Sequence, residues 1–179
     1  IATGLYESEG FGAVTLRRYA LEAGCSRQTP YRFFRNKDDI VAEVYLRCHK
    51  MFTGYCERAA AETHDPRERL LKIRDAYLQF AHDHPDAYEV VFGMEPPVHF
   101  PRVAQQLEYS WSSLQALFAQ AVREGVVEGD PASLGYLFWT MLDGLAKLQK
   151  AGPEKVGLDL RRTADAIEGL FFAHQADGV

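Results

Sequence analysis

Apolar residues recur along this chain at three- and four-residue spacing. No stretch between turn signals alternates with period two, so the pattern predicts helices and no sheet. A first helix ends near Gly10, where Gly10-Phe11-Gly12 supplies a stop and a turn. Thr15 stands as N-cap to a helix from Leu16 to Ala23, with Leu16, Tyr19 and Ala20 on one side and Gly24 as its end. Ser26 is placed to cap a short helix from Arg27 to about Phe34. Asn36 caps a long one, led by Asp38 and Asp39, that runs to about Ala61. Asp65-Pro66 opens a fifth helix, whose stripe of Leu70, Ile73, Tyr77, Phe80 and Ala81 reaches His84-Pro85. A sixth runs from Asp86 to about Phe92. Gly93-Met94-Glu95-Pro96-Pro97, with Pro101 beyond it, reads as a loop because proline breaks a helix interior. Leu107, Trp111, Leu114, Phe118 and Ala121 mark a seventh helix that stops at Gly125. Asp130-Pro131 opens an eighth, with Leu134, Phe138, Met141, Leu145 and Leu148 on one side, and Gly152-Pro153 closes it. Residues 159 to 174 form a ninth, with Leu160, Ala164, Ile167 and Phe171 inward.

Short helices before Asn36 and long ones after it predict an all-α chain in two parts, a compact module over residues 1–46 and a larger helical body over 47–179. The length of 179 residues is enough for a real core, and 47% hydrophobic with 25% charged residues is ordinary globular composition. No apolar run approaches the roughly 18 to 20 residues of a bilayer span, so no membrane role is expected. The first residue is Ile1 and nothing reads as a secretory signal; residues upstream are expected to be missing. Three cysteines, Cys25, Cys48 and Cys56, point away from a disulfide framework and towards a reducing compartment, the cytoplasm by default. Net charge is −5, which argues against binding nucleic acid by bulk charge. The average hides one segment: residues 15 to 37 hold Arg17, Arg18, Arg27, Arg32, Arg35 and Lys37 against the single acid Glu22. That segment suits phosphate.

Residues 15 to 34 read as helix, glycine turn, helix, which is helix-turn-helix spacing. In such a unit the second helix enters the DNA major groove with its N-terminal side chains on base edges, while the first crosses the backbone. Those N-terminal residues are Arg27, Gln28 and Thr29. Arginine bonds guanine through two donors and glutamine bonds adenine through two contacts, so both can read sequence. Tyr31 and Arg32, within a turn of them, can reach phosphate or sugar.

Leu5-Tyr6 with Glu9-Gly10-Phe11, Thr15-Leu16-Arg17, Ala20, Ala23-Gly24-Cys25-Ser26, Tyr31-Arg32-Phe33-Phe34, and Asn36-Lys37 with Ile40 resemble the DNA-binding domain of TetR-type (tetracycline-repressor-like) transcriptional regulators over about residues 1 to 46. By that resemblance Thr15, Arg27, Gln28, Thr29, Tyr31 and Lys37 contact DNA, Thr15 and Lys37 facing phosphates at helix N-termini. Cys25 is expected in a buried apolar turn position. Two residues depart from the family's pattern. Gln28 stands where a small residue is common, and Pro30 removes an amide donor inside the recognition helix, delaying or tightening its start. Further along, Ala76-Tyr77-Leu78-Gln79-Phe80-Ala81 with His84-Pro85, Tyr88 and Phe92-Gly93 is similar to one subgroup of TetR-type effector domains. Trp139 with Gly144 is similar to that subgroup's Trp-x-x-x-His-Gly signature, with Asp143 in place of the histidine. This implies an effector-binding body that dimerises through its last two helices, Asp130 to Ala151 and Asp159 to His174.

Most of the body's aromatics are expected in the core, and a pocket between helices would take a minority of them. The candidate lining is Tyr77, Phe80, Tyr88, Trp111, Phe118, Phe138 and Met141. Eight residues of helix separate Cys48 and Cys56 by about 12 Å of rise, too far for an intrachain bridge, so inert buried thiols are expected. His82 and His84, two apart, point to different faces, and no metal site is expected. Glu95 is an exposed loop acid or a contact to a polar ligand group, and Asp143, in an apolar helix, needs a partner at an interface or in a pocket. No phosphate-cradling glycine loop, Gly-x-Ser-x-Gly elbow, His-Glu-x-x-His or Cys-x-x-Cys motif argues for an enzyme, and no cofactor is implied. The expectation is a homodimeric, ligand-responsive repressor that binds a palindromic double-stranded DNA operator and releases it to a small-molecule effector. The alternatives are a helical carrier or sensor of small hydrophobic ligands that does not use DNA, and a helical enzyme with an unrecognised site.

Overall fold

Side-chain caps fix where five of the seven described α-helices begin. The computed structural model describes residues 15–152 and 159–172. Thr15, in extended backbone, accepts the Arg18 amide on Oγ1 at 3.1 Å and opens α1, Leu16–Glu22. Asn36 Oδ1 accepts the Asp39 amide at 2.9 Å and opens α2, Lys37–Ala60, while Asp39 Oδ2 accepts the Arg35 amide at 2.9 Å. Asp65 Oδ1 takes the Glu68 amide at 2.7 Å ahead of α3, Pro66–Asp83. Two further helices follow, α4 over Pro85–Phe92 and α5 over Pro101–Arg123. Asp130 Oδ2 accepts from the Ser133 amide at 2.8 Å at the head of α6, Pro131–Ala151, and that bond lowers the Asp130 pKa. Asp159 Oδ1 does the same for Arg162 at 3.1 Å before α7, Leu160–Phe172. Each cap of this kind contributes about 1 kcal/mol. Proline is the first residue of α3, α4, α5 and α6, where its missing amide would have had no helical partner.

Two expectations are corrected. Pro101 belongs to no loop; it is the first residue of α5, which starts six residues before the apolar stripe that marks it. The helix expected over Arg27–Phe34 is a turn followed by a 3-10 helix of three residues, Pro30–Arg32. Proline lacks the amide that would close an α-turn onto Ser26, so the Thr29 amide bonds the Ser26 carbonyl at 3.0 Å instead and the chain tightens. Ser26 Oγ meets Thr29 Oγ1 at 2.9 Å. The helix expected to end near Gly10 lies outside the described residues, as do residues 173 and 174 of the last one.

Gly24 ends α1 in left-handed backbone, φ +60°, with the Cys25 amide on the Ala20 carbonyl and the Gly24 amide on that of Leu21. Gly125 ends α5 in the same way at φ +71°. Only glycine takes this conformation without cost, which is why both stops are legible in the sequence.

The chain forms two compact units. The first joins the described part of residues 1–51 to 84–107; it buries Leu16, Ala20, Ile40, Val44, Tyr45 and Cys48, and also Tyr88, Val90, Val91 and Val103. The second joins 52–83 to the described part of residues 108–179 and buries Leu70, Tyr77, Phe80, Leu117, Phe118, Phe138, Leu142 and Leu145. Within it α3 is tied to α7 by Glu168, which accepts from Arg67 at 3.1 Å and Arg74 at 3.5 Å. Helices α2 and α5 each supply residues to both units. No described helix is long and apolar enough to cross a membrane.

One buried group titrates in an accessible range. His49 is 4% exposed in the first unit, stacked on Tyr45 at 5.8 Å, and burial lowers its pKa from 6.5 to about 4. The unfolded chain therefore takes up this proton at higher pH than the folded one, so the stability it contributes is complete above pH 6.5 and is lost as pH falls towards 4. The loss amounts to about 3 kcal/mol. Urea denaturation across that range should show it, and His49→Gln should flatten the acid limb by that amount relative to the wild type.

Candidate functional site

The basic segment folds as α1, the Gly24 turn, the 3-10 turn and the start of α2. Leu16, Ala20, Pro30 and Ile40 are buried beneath it, and Tyr19 meets Phe34 edge-on at 5.8 Å. These contacts hold the polar side chains outward. Thr15, Arg27, Gln28, Tyr31 and Arg32 are exposed, while Thr29 and Lys37 are partly covered. Arg27, Gln28 and Thr29 sit on the turn ahead of the 3-10 helix, not on the first turn of an α-helix as the spacing suggests. Tyr31, 61% exposed, and Arg32 lie on the 3-10 turn itself. Lys37 is the first residue of α2, next to the Asn36 cap, and Arg17, Arg18 and Arg35 are also exposed. Arg18 is engaged by Glu22 at 3.5 Å. All seven predicted contact residues belong to one unit and to one run of 23 residues. Cys25 is partly exposed rather than fully buried in the turn.

What steadies this surface leaves no signature in the sequence. Arg102, second residue of α5, donates to Glu43 Oε2 at 2.9 Å and to the Asp39 carbonyl at 3.4 Å. It thereby clamps the first turns of α2, where Lys37 sits. The partners are 59 and 63 residues apart, and no local pattern announces such a pair.

A basic, outward-facing helix–turn unit joined to a helical body is what family comparison recognises. A family model described as bacterial regulatory proteins, tetR family, matches residues 2–44, and one described as tetracyclin repressor-like, C-terminal domain, matches residues 70–168. The chain belongs to the TetR family. It is a DNA-binding transcriptional regulator with a helix-turn-helix domain and a tetracyclin repressor-like helical C-terminal domain. An HTH-type transcriptional regulator of Staphylococcus aureus is 31% identical over 84 residues, which are 47% of this chain and 45% of that protein. The match thus spans less than half of that relative. Among solved structures, a Rhodococcus protein of unknown function superposes with TM-score 0.82 at 23% identity over 96% of this chain and 90% of its own. The TetR family regulator PfmR from Thermus thermophilus gives 0.72 at 21%, covering 97% and 96%. AibR, solved with isovaleryl coenzyme A and operator DNA, gives 0.71 at 15%, covering 96% and 94%. These structures share the TetR fold.

In the regulator's second unit the predicted lining residues fall into separate groups. Tyr77 and Phe80 pack on Phe52 at 5.3 and 5.4 Å, with Tyr55 also on Phe80 at 5.5 Å. Phe118 meets Phe138 at 5.5 Å. Trp111 meets Tyr136 at 6.1 Å and, like Met141, is half-buried. Phe80 and Phe118 expose no surface. Tyr88 lies in the first unit against Phe92 at 4.9 Å. Phe52 and Tyr55 were not foreseen, although their three-residue spacing on α2 matches that of Tyr77 and Phe80 on α3. A cavity of about 500 Å³ opens between α3, α6 and α7, lined by Arg74, Asp75, Leu78, Leu145, Gln149, Ala164 and Asp165, and none of the predicted seven reaches it.

The remaining candidates resolve simply. Asp143 finds its partner one helical turn along, Lys147 Nζ at 2.7 Å. Glu95 is exposed on its loop. Among the described residues no cluster of three His, Cys, Asp or Glu could hold a metal ion. Cys48 is buried, and burial with the neighbouring Glu57 carboxylate pushes the partly covered Cys56 thiol up to about 12. Iodoacetamide at pH 8 should therefore label Cys56 about three orders of magnitude more slowly than a free cysteine, because the thiolate is the nucleophile. Peptide mapping after timed quenching reads this directly, and rapid labelling at Cys56 would contradict the expectation of an inert thiol.

Proposed function

We propose that this TetR-family chain is a ligand-responsive repressor, a homodimer released from a palindromic operator by a small molecule. The single observation that carries the reading is the exposed basic surface of residues 15–37, built on buried Leu16, Ala20, Pro30 and Ile40. Residues 1–46 act as the DNA-binding domain and 47–179 as the effector and dimerisation domain. Arg27, Gln28 and Thr29 address bases, while Thr15, Tyr31, Arg32 and Lys37 address the backbone. The two recognition turns of a dimer lie about 34 to 36 Å apart, on successive major grooves. An effector that binds one spacing better than the other shifts the population between them, by no more than its differential affinity. Trp111 and Met141, half-buried, are the residues best placed to admit it, whereas Tyr77, Phe80, Phe118 and Phe138 move only if the core opens. AibR, of the same fold, is solved with isovaleryl coenzyme A and operator DNA, which supports a fold that meets both a small molecule and DNA.

The dimer uses α6 and α7. Leu137, at 51%, and Leu148, at 39%, are exposed on α6, and between them Gly144 is exposed, with nothing within 4 Å of where a Cβ would stand. A larger residue at Gly144 thus fits the single protomer but not a close helix pair. Gly144→Glu should fold normally by circular dichroism and raise the dimer dissociation constant at least a hundredfold by analytical ultracentrifugation. An unshifted dimer would place the interface elsewhere.

Selection of bound DNA from a random duplex library at two salt concentrations tests the reading as a whole. A palindrome with half-sites one turn apart is expected. Tyr31→Ala should lose operator affinity and keep dimerisation. Lys37→Glu should weaken all sequences alike and reduce the salt slope by about one, the signature of a phosphate contact. Tight binding of small hydrophobic ligands without any salt-dependent DNA binding would instead favour a carrier.

A further inference from the structure

We propose that Phe33 reads a thymine 5-methyl group in each operator half-site, an inference that rests on the operator-binding reading above. Two phenylalanines follow the 3-10 turn, and the backbone fixes them differently. The amides of Phe33 and Phe34 both bond the Pro30 carbonyl, at 3.0 and 2.9 Å, so the turn is closed. Phe34 packs inward against Tyr19. Phe33 is left 74% exposed, one residue beyond Arg32 and two beyond the exposed Tyr31.

A large apolar side chain so exposed contributes almost nothing to its own fold. What surrounds it selects the partner. Arg27, Arg32 and Arg35 are exposed within six residues of it in sequence, and the whole segment from 15 to 37 carries one acid against six bases. That balance favours a polyanion over an apolar protein face. Phe33 has no hydrogen-bonding group with which to serve a phosphate, and the negative face of its ring is repelled by one. On the base edges of the major groove the apolar feature is the thymine methyl, and phenylalanine is among the side chains that contact it. The chemistry therefore divides along the turn: Arg27 and Gln28 meet donors and acceptors, and Phe33 meets the methyl.

The test compares wild type and Phe33→Ala in the same library selection. The wild-type consensus should carry thymine at one symmetric position of each half-site, and the variant should lose preference there while keeping the other positions. Replacing that thymine by deoxyuridine removes only the methyl. Wild type should then bind about fourfold more weakly per half-site, the worth of one buried carbon. Phe33→Ala should bind the thymine and deoxyuridine duplexes equally, and Phe33→Leu, which keeps apolar bulk, should retain part of the discrimination. The proposal is overturned if wild type is indifferent to deoxyuridine at every position, if Phe33→Ala pays the same deoxyuridine penalty, or if the variant weakens all sequences alike. If wild type selects no operator, the regulator reading falls and this one with it; an operator whose thymines are insensitive to methyl removal sinks only the role of Phe33.

Discussion

The two hydrogen bonds around Asn36 and Asp39 hold the point from which everything else is measured. They start a 24-residue helix whose first turn carries Lys37 and whose later turns carry Phe52 and Tyr55 into the core of the second unit. Without those bonds the first turn of this helix, and Lys37 on it, would lose the caps that hold it in place. Arg102 reinforces the same turn from the head of α5. A surface ion pair is ordinarily weak. Here its second bond, to a backbone carbonyl, makes it a constraint on geometry more than a source of stability.

Much of this arrangement is legible in the amino-acid sequence because its causes are local. Thr15, Asn36, Asp65 and Asp130 cap within three residues of themselves, and Gly24 and Gly125 stop helices by a conformation that other residues resist. The recognition segment, too, is local: its charge and its spacing lie within one short run. Pro101 reads as loop from the sequence because proline forbids a helix interior yet favours its first position, and the sign of that rule depends on where the helix begins. The recognition helix was expected to be an α-helix for the complementary reason, since the cost of Pro30 depends on which carbonyl its missing amide would have met.

What stays hidden depends on which helix faces which. Phe80 and Phe118 follow helical spacing equally well whether they line a pocket or fill a core, and only packing against Phe52 and Phe138 distinguishes the two. Asp143, in an apolar helix, asks for a partner at an interface or in a pocket, and Lys147 on the next turn supplies one. The cavity between α3, α6 and α7 draws its walls from α3 and, far along the chain, from α6 and α7, with residues of mixed character, so no stripe marks it.

Pro30 has a thermodynamic consequence beyond the shape it imposes. A recognition element that is a closed turn contains few residues whose order depends on helix propagation, and its fixed φ narrows the conformations available even to the unfolded chain. Such an element reaches DNA already organised. On the operator-binding reading, little disorder would remain to be removed at the moment of contact, so association there would resemble the meeting of two rigid bodies, with a modest heat-capacity change set by the surface that is covered and no added term from folding.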